Sequence, residues 1–422
     1  MQVTIQGKAR GTAVAPPSKS MAHRVVLAAA LAEGTSYIEN LEWSEDILAT
    51  LQAVQAFGAM VEKGENWAKI TGVSMPKPPK NPIDCGESGS TLRFLIPILA
   101  QAGTPITLVG HGRLPQRPQQ VYQKLFEERG LPFEITKEGV VFCGSLQGGE
   151  YTLQGNISSQ FITGLLFGLP LAEQDSLIRI LPPLESRSYL HLTIQVLQQF
   201  GIQVEWKDAY TIFVSGKQKY CPRNIRVEAD WSNGAFLAVL GAITSQIQVE
   251  GLSQDSKQGD AVIFDILRRC GVKISTRKEQ IVEFSVTDLT ATEIDLADCP
   301  DLGPILMVLA TFCKGKTRIE NAGRLRIKES DRIDAMAQEL AKFGAIVQQL
   351  DKETIEIQST ILKQPVSPIC SHGDHRVVMS CSVAALAAGL KITIQDAQAV
   401  NKSWPNFFDV LSHLGVDLQS TL

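Results

Sequence analysis

Six times along the chain, a short polar turn opens onto an apolar run with almost no polar break. The segments are SKSMAHRVVLAAALA, SGSTLRFLIPILA, SSQFITGLLFGLPLA, DWSNGAFLAVLGAI, PDLGPILMVLATF and GDHRVVMSCSVAALAAG. A helix apolar on every face is a buried one, so each segment predicts a core helix that starts at its polar turn. Ser20, Ser90, Ser159, Ser232, Leu302 and His375 mark the turns, 70, 69, 73, 70 and 73 residues apart. A second series runs out of phase with the first: LQAVQAFGAMVE, YQKLFEERGLPFEI, LQQFGIQVEW, DILRRCGVKIS, ELAKFGAIVQ and VLSHLGVDLQ. Each pairs a helix-like stretch with a glycine and a β-like run. Gly58, Gly130, Gly201, Gly271, Gly344 and Gly415 are separated by 72, 71, 70, 73 and 71 residues. Glycine there reads as a left-handed helix C-cap that turns the chain into a strand. With strands such as KITGV and TIFVSG, each unit holds one buried helix, one amphipathic helix and several short strands.

Division at the polar turns gives units 18–87, 88–157, 158–229, 230–300, 301–373 and 374–422. The last holds only 49 residues, and the N-terminal residues 1–17, with their VTIQG strand, bring it to 66. A chain of 422 residues exceeds what one hydrophobic core usually supports. Two domains of three repeats are therefore expected, one at 18–229 and the other at 1–17 plus 230–422. The chain would cross between them near 16–18 and near 228–230, a double crossover suited to a hinge.

Composition changes this picture little. The apolar fraction of 44% and the charged fraction of 20% are those of an ordinary globular protein. A net charge of −4 argues against nucleic-acid or anionic-membrane partners, while leaving room for a local basic pocket. No apolar run approaches the roughly 18 residues of a membrane span. MQVTIQGKAR has neither a signal core nor transit-peptide character, so a cytoplasmic protein is expected. The eight cysteines contain no C-x-x-C pair and are expected to be reduced and structural. His372 and His375 lack an evident third ligand, and no metal or cofactor is expected.

The polar turns carry the chemistry. A helix N-terminus already presents unpaired N–H groups and about half a positive charge. Lys19 and Arg24 beside such an end make sense when an anion joins them. Gly86, Gly89 and Arg93 stand at the second helix start, Ser158, Ser159 and Gln160 at the third, and His375 and Arg376 at the sixth. A repeat that aligns these starts predicts their convergence on one cleft. Taken alone, LRIKESDRI (325–333) reads equally as a solvated helix start with ion pairs. HGRLPQRP (111–118) supplies Arg113 and Arg117, and AVNKSWP (399–405) supplies Lys402.

PPSKSMAHR, CGESGSTLRF, QRP, SSQF, ESRSY, CPDLGP, LRIKESDR, GDHRVVM and NKSWP occur in an order that resembles the EPSP synthase (3-phosphoshikimate 1-carboxyvinyltransferase) family of enolpyruvyl transferases. The resemblance spans essentially the whole chain. It implies two similar α/β domains, each of three βαβαββ repeats that form an inside-out α/β barrel, with buried helices and outer sheets. It implies transfer of the enolpyruvyl group of phosphoenolpyruvate to the 5-hydroxyl of shikimate 3-phosphate by a monomer, in the shikimate pathway.

Carried over residue by residue, the resemblance assigns shikimate 3-phosphate to Lys19, Ser20, Arg24, Ser158, Ser159, Gln160, Ser186, Tyr189, Asp301 and Lys328. Phosphoenolpyruvate falls to Lys19, Gly89, Arg117, Gln160, Arg332, Arg376 and Lys402, with Gly89 leaving its backbone open to the ligand. Asp301 and Glu329 are the candidate proton carriers, Asp301 for the hydroxyl and Glu329 for C3, with Lys19, Lys402 and His375 also in the catalytic set. Glu87, Ser88, Phe94 and Arg324 depart from common family residues. Glyphosate competes with phosphoenolpyruvate in this family, and Gly89 favours sensitivity to it while the residues around it leave its strength open. A sister enzyme that acts on UDP-N-acetylglucosamine shares the repeats but typically has a cysteine in the loop matching HGRLPQRP, and none stands here. A non-catalytic two-domain anion-binding protein would not need Asp301 and Glu329 together with the full cation set.

Overall fold

The structure, a computed structural model, describes residues 1–277 and 280–421. The chain divides into a central unit, Pro17–Glu228, and a terminal unit, Met1–Pro16 with Ala229–Leu422. The central unit contains helices α1 (Lys19–Leu31), α2 (Glu45–Ala56), α3 (Gly89–Ala100), α4 (Gln120–Glu127), α5 (Ser159–Gly168) and α6 (Arg187–Gln199). The terminal unit contains α7 (Trp231–Thr244), α8 (Ile263–Arg269), α9 (Gly303–Phe312), α10 (Arg332–Lys342), α11 (His375–Ala388) and α12 (Phe407–His413). Among the described residues no helix is long and apolar enough to cross a membrane.

The odd-numbered helices are those of the apolar runs. In α7 every residue from Trp231 to Ala242 is buried, and in α11 every residue from His375 to Leu386. Such helices must satisfy their first N–H groups without water. Five of the six do so with a side-chain cap: Ser18, Ser88, Ser158, Asp230 and Asp374 each accept a backbone N–H of the first turn. The exception, α9, starts from a 3-10 turn at Pro300–Leu302 and has Pro304 in its first turn. The glycines at the ends of the even-numbered helices all have positive φ, 112°, 64°, 83°, 94°, 86° and 83° in chain order. That is the left-handed backbone their spacing predicts.

Each unit has three four-stranded sheets, and all six share one pattern of parallel and antiparallel neighbours. A short edge strand runs parallel to the next strand and is joined to it, in four of the six, by a buried helix. Two antiparallel strands follow. Ile83–Asp84, α3, Ile106–Val109, α4, Phe133–Ile135 and Gly139–Phe142 form one such βαβαββ repeat. In the central unit, Asn224–Arg226 returns to supply the parallel edge beside Gly34–Glu39. In the terminal unit the N-terminal segment completes two sheets. Gln2–Gln6 sits between Ile392–Gln395 and Asp417–Thr421. Gly11–Val14 runs parallel to Ile247–Glu250, a contribution that the 71-residue spacing did not assign. Alternating burial, as in Gln2–Gln6 and Ser176–Leu181, keeps one face of each sheet outward, so helices form the inside and sheets the outside.

Each unit has its own apolar core. Five of the eight cysteines are buried, Cys143 and Cys370 are half-buried and Cys221 is exposed, so the buried structural role holds for the five. Helices α3 and α5 pack closely. A Cβ on Gly164 would lie 2.2 Å from Tyr122 Oη and 2.5 Å from the Arg93 carbonyl oxygen, and one on Gly168 would lie 2.5 Å from the Pro97 carbonyl oxygen. Backbone cannot yield as a side-chain tip can. Gly164→Ala is expected to destabilise the central unit by about 1–3 kcal/mol, the usual cost of overpacking, read as a lower urea midpoint.

Candidate active site

In the central unit the starts of α3 and α5 share polar contacts, and α1 bonds to α6. Arg24, in α1, is 3% exposed and spends its guanidinium on neutral acceptors: Thr193 Oγ1 at 2.8 Å, the Ser20 carbonyl at 2.7 Å and the Tyr189 carbonyl at 3.3 Å. Its charge also sits 5.2 Å from the Phe94 ring centroid, so the departure at Phe94 contributes a cation–π contact. Arg93, in α3, is equally buried and donates to Gln160 Oε1 at 2.9 Å, Ser158 Oγ at 3.4 Å and the Pro118 carbonyl at 2.7 Å. Gln160 passes the link on to Ser90 Oγ at 3.0 Å. Burial lowers the Arg24 pKa to about 10. Burial and then the neighbouring Arg117 hold Arg93 well below its ordinary value. Among the described residues Arg24, Arg93 and Arg117 have no carboxylate partner, and the buried Nε of Arg117 has no hydrogen-bond partner at all. Positive charge is stored here against its desolvation cost, and an anion would relieve it.

Gly89 lies against Arg117. The space where its Cβ would stand is filled by the Arg117 guanidinium, with Nη1 2.6 Å from that position. The missing side chain thus lets Arg117 lie against the start of α3. Glu87 packs on Gly112 of the loop that carries Arg117, where a Cβ would meet its carboxylate at 2.5 Å. That is the structural consequence of the acidic residue at 87. Ser159 is buried in the first turn of α5, and Ser186 is a buried, left-handed residue (φ 55°) at the start of α6.

Lys19 pairs with Asp46 Oδ2 of α2 at 2.8 Å. Beneath it runs a buried polar chain that the motifs did not reveal. Thr91 Oγ1 donates to Ser88 Oγ at 2.8 Å, so Thr50 donates to Thr91 at 2.6 Å and His23 Nδ1 donates to Thr50 at 2.7 Å. This order leaves Nε2 of His23 as the bare ring nitrogen, buried without a hydrogen-bond partner. Burial, then Lys19 and Arg24, hold the His23 pKa well below its ordinary value, which agrees with a neutral ring.

The terminal unit uses its charges differently. Arg332, 1% exposed, is shared by three carboxylates. Nε meets Asp374 Oδ2 at 2.8 Å, Nη1 meets Asp301 Oδ1 at 3.1 Å and Nη2 meets Glu329 Oε2 at 2.5 Å. Asp301 also takes Lys328 Nζ at 3.2 Å and Arg376 Nη2 at 3.3 Å, while its carbonyl takes Arg376 Nη1 at 2.8 Å. Burial alone would raise the Asp301 pKa, but Arg376, Lys328 and Arg332 together hold it well below the carboxylate range. So held, it is a weak proton acceptor. Burial lowers Lys328 to about 8, and Arg324 adds to that shift. Asp260, which the motifs also missed, is pushed up to about 6 by burial and by Asp301. Lys402 donates to the Gly373 carbonyl at 2.8 Å, and His375 opens α11 with Nδ1 3.8 Å from Asp374. Asp374 is the hub that the motifs left unassigned: it caps α11, accepts from Ser330 and takes two nitrogens of Arg332. Its signal was present in GDHR, as the acid just ahead of the helix.

Two units of βαβαββ repeats, with cations and acids gathered at the starts of buried helices, define the enolpyruvyl transferase class. The family model of EPSP synthase (3-phosphoshikimate 1-carboxyvinyltransferase) matches residues 3–411. The 3-phosphoshikimate 1-carboxyvinyltransferase of Clostridium beijerinckii is 40% identical over 97% of this chain and 96% of its own length. That of Clostridioides difficile is 39% identical over the same shares. The solved EPSP synthase of Acinetobacter baumannii covers 99% of this chain and 100% of its own at TM-score 0.80 and 27% identity. The enolpyruvyl transferase NikO of Streptomyces tendae shares the fold, at TM-score 0.79 and 17% identity. The chain belongs to the EPSP synthase family.

Two outcomes follow from the charge network. Removing a carboxylate that faces a buried guanidinium leaves that charge uncompensated. Asp374→Ala is expected to cost about 3–5 kcal/mol, a fall of about 10 °C in the terminal unit's melting temperature. Lys328 binds its proton less tightly folded, at about pH 8, than at its ordinary 10.5. The unfolded chain therefore holds more protons between those values, and stability rises with pH across that window. Comparing urea midpoints of wild type and Lys328→Met from pH 7.5 to 10.5 should show the rise attenuated in the variant.

Proposed function

We propose that this enzyme joins phosphoenolpyruvate to shikimate 3-phosphate, giving 5-enolpyruvylshikimate 3-phosphate and inorganic phosphate in the shikimate pathway. The observation that carries the reading is the set Arg24, Arg93 and Arg117, guanidiniums at adjoining helix starts with no carboxylate to neutralise them. Both substrates bear a phosphate and a carboxylate, and charge-assisted bonds to such groups are the strong ones. Shikimate 3-phosphate is assigned to Lys19, Ser20, Arg24, Ser158, Ser159, Gln160, Ser186 and Tyr189 of the central unit, with Asp301 and Lys328 of the terminal unit. Phosphoenolpyruvate is assigned to Lys19, Gly89, Arg117 and Gln160, with Gly89 also the seat of Arg117, and to Arg332, Arg376 and Lys402.

The reaction adds the 5-hydroxyl oxygen to C2 of phosphoenolpyruvate while C3 gains a proton. The tetrahedral adduct then loses that proton and expels phosphate. Glu329 carries the C3 proton in this reading, with Lys19, Lys402 and His375 as the remaining catalytic set. Asp301 orients the hydroxyl and accepts its proton once substrate anions draw Lys328, Arg332 and Arg376 away from its carboxylate. Its pKa then rises toward the usual range, so the base is switched on by occupancy. The enzyme is further taken to be a cytoplasmic monomer that meets no nucleic acid or membrane, in keeping with its net charge of −4.

The test is phosphate release from phosphoenolpyruvate with shikimate 3-phosphate, run beside a sample with UDP-N-acetylglucosamine as acceptor. Release with the first acceptor alone is expected, and release with the sugar nucleotide alone would overturn the acceptor assignment. Glu329→Gln should lower turnover by about 10²–10⁴-fold, the range of general acid–base catalysis, while ligand affinities stay close to wild type. Unchanged turnover would remove Glu329 from the proton path.

A further inference from the structure

Helix α10 grips the loop 370–374 at two places. At its start Arg332 bonds Asp374. Seven residues later, about 10 Å along the axis, Glu339 makes the second grip. The Glu339 side chain is 2% exposed and carries three bonds. Oε1 meets His372 Nε2 at 2.8 Å, and Oε2 accepts the Cys370 backbone N–H at 3.0 Å and Lys342 Nζ at 2.6 Å. The loop it holds is sharply bent. His372 (φ 52°) and Gly373 (φ 66°) are successive left-handed residues. A residue with a side chain keeps that conformation where its surroundings impose it. The Gly373 carbonyl, which this bend orients, accepts Lys402 Nζ at 2.8 Å.

We propose that Glu339 is a positioning residue for the anion-binding groups of the terminal unit. Through His372 and the Cys370 backbone it sets the left-handed bend, and the bend aims the Gly373 carbonyl at Lys402 and seats Asp374 against Arg332. The inference rests on the reading that Lys402, Arg332 and Arg376 receive phosphoenolpyruvate. A carboxylate is required because three donors converge on its two oxygens. A glutamine would turn its own N–H₂ toward at least one of them.

The experiment compares wild type, Glu339→Gln and His372→Ala by amide hydrogen exchange over residues 370–376, by steady-state kinetics and by melting temperature. Faster exchange at Gly373–Arg376 is expected in both variants. KM for phosphoenolpyruvate should rise about tenfold or more, as displaced binding groups do, while KM for shikimate 3-phosphate stays within about twofold. Unchanged exchange, or an unchanged KM for phosphoenolpyruvate, would overturn the proposal. A parallel rise of both KM values with a fall in melting temperature would reduce Glu339 to a structural ion pair. If Glu339→Gln fails to fold, His372→Ala, whose side chain is 24% exposed, carries the test. Wild type without phosphate release would defeat the functional reading, while the exchange comparison still decides on the grip.

Discussion

A guanidinium taken out of water must be given something in return, and much of this molecule can be read as its answer to that demand. The buried helices set the problem. They hide their N-termini, with unpaired N–H groups and a positive end, in places water cannot reach. Caps at Ser18, Ser88, Ser158, Asp230 and Asp374 settle the N–H groups. They do not settle Arg24, Arg93, Arg332 and Arg376, which stand in or beside the same turns. For these the two units give different answers, and the difference is where the chemistry lies.

In the central unit the arginines are held by hydroxyls, amides and carbonyls. Such partners fix direction without cancelling charge, and burial, which no carboxylate offsets, depresses the pKa values of Arg24 and Arg93. In the terminal unit the same kind of charge is cancelled by carboxylates, and burial fails to lower Arg332 because Asp374, Glu329 and Asp301 outweigh it. The first arrangement attracts an anion outright. In the proposed function the second exchanges internal partners for an external one, so that an arriving anion frees a carboxylate as it binds. Proton transfer needs such a carboxylate, and catalysis by preorganised charge needs the fixed donors of the first kind.

The repeat was legible because two of its parts obey backbone physics. A left-handed residue after each amphipathic helix calls for glycine, and an unbroken apolar helix calls for burial. Both leave marks in one dimension. Arg24 and Arg332 were legible for a related reason, since charges at a buried helix start are conspicuous. Asp46, Thr50 and Asp260 were not. Each lies on an ordinary-looking stretch and gains its role only when another element, many residues away, packs against it. Thr50 meets His23 and Thr91 from separate helices, and no spacing rule joins the three. The place of Gly11–Val14 was hidden for the same reason: β pairing across more than 200 residues leaves no local trace. The contact of Gly89 with Arg117 was hidden for the same reason, because its neighbour in space belongs to another loop.

Divergence among the repeats explains how one architecture can host both kinds of charge. The first, second and sixth buried helices begin with basic residues within their first two turns: Lys19 and Arg24, Arg93, and Arg376. The third offers neutral donors in Ser159 and Gln160. The fourth and fifth begin with acids instead, Asp230 as a cap and Asp301 on the 3-10 turn that replaces a cap at α9. That replacement matters. A capping aspartate commits an oxygen to a backbone N–H, as Asp230 does to Asn233 and Asp374 to Arg376. Asp301 is spared that duty, and its two oxygens face Lys328, Arg332 and Arg376. The loss of the ordinary cap in one repeat therefore leaves the Asp301 carboxylate to side chains and ligands alone, where its five counterparts each commit a side-chain oxygen to closing a helix end, Asp374 among them although it also holds Arg332.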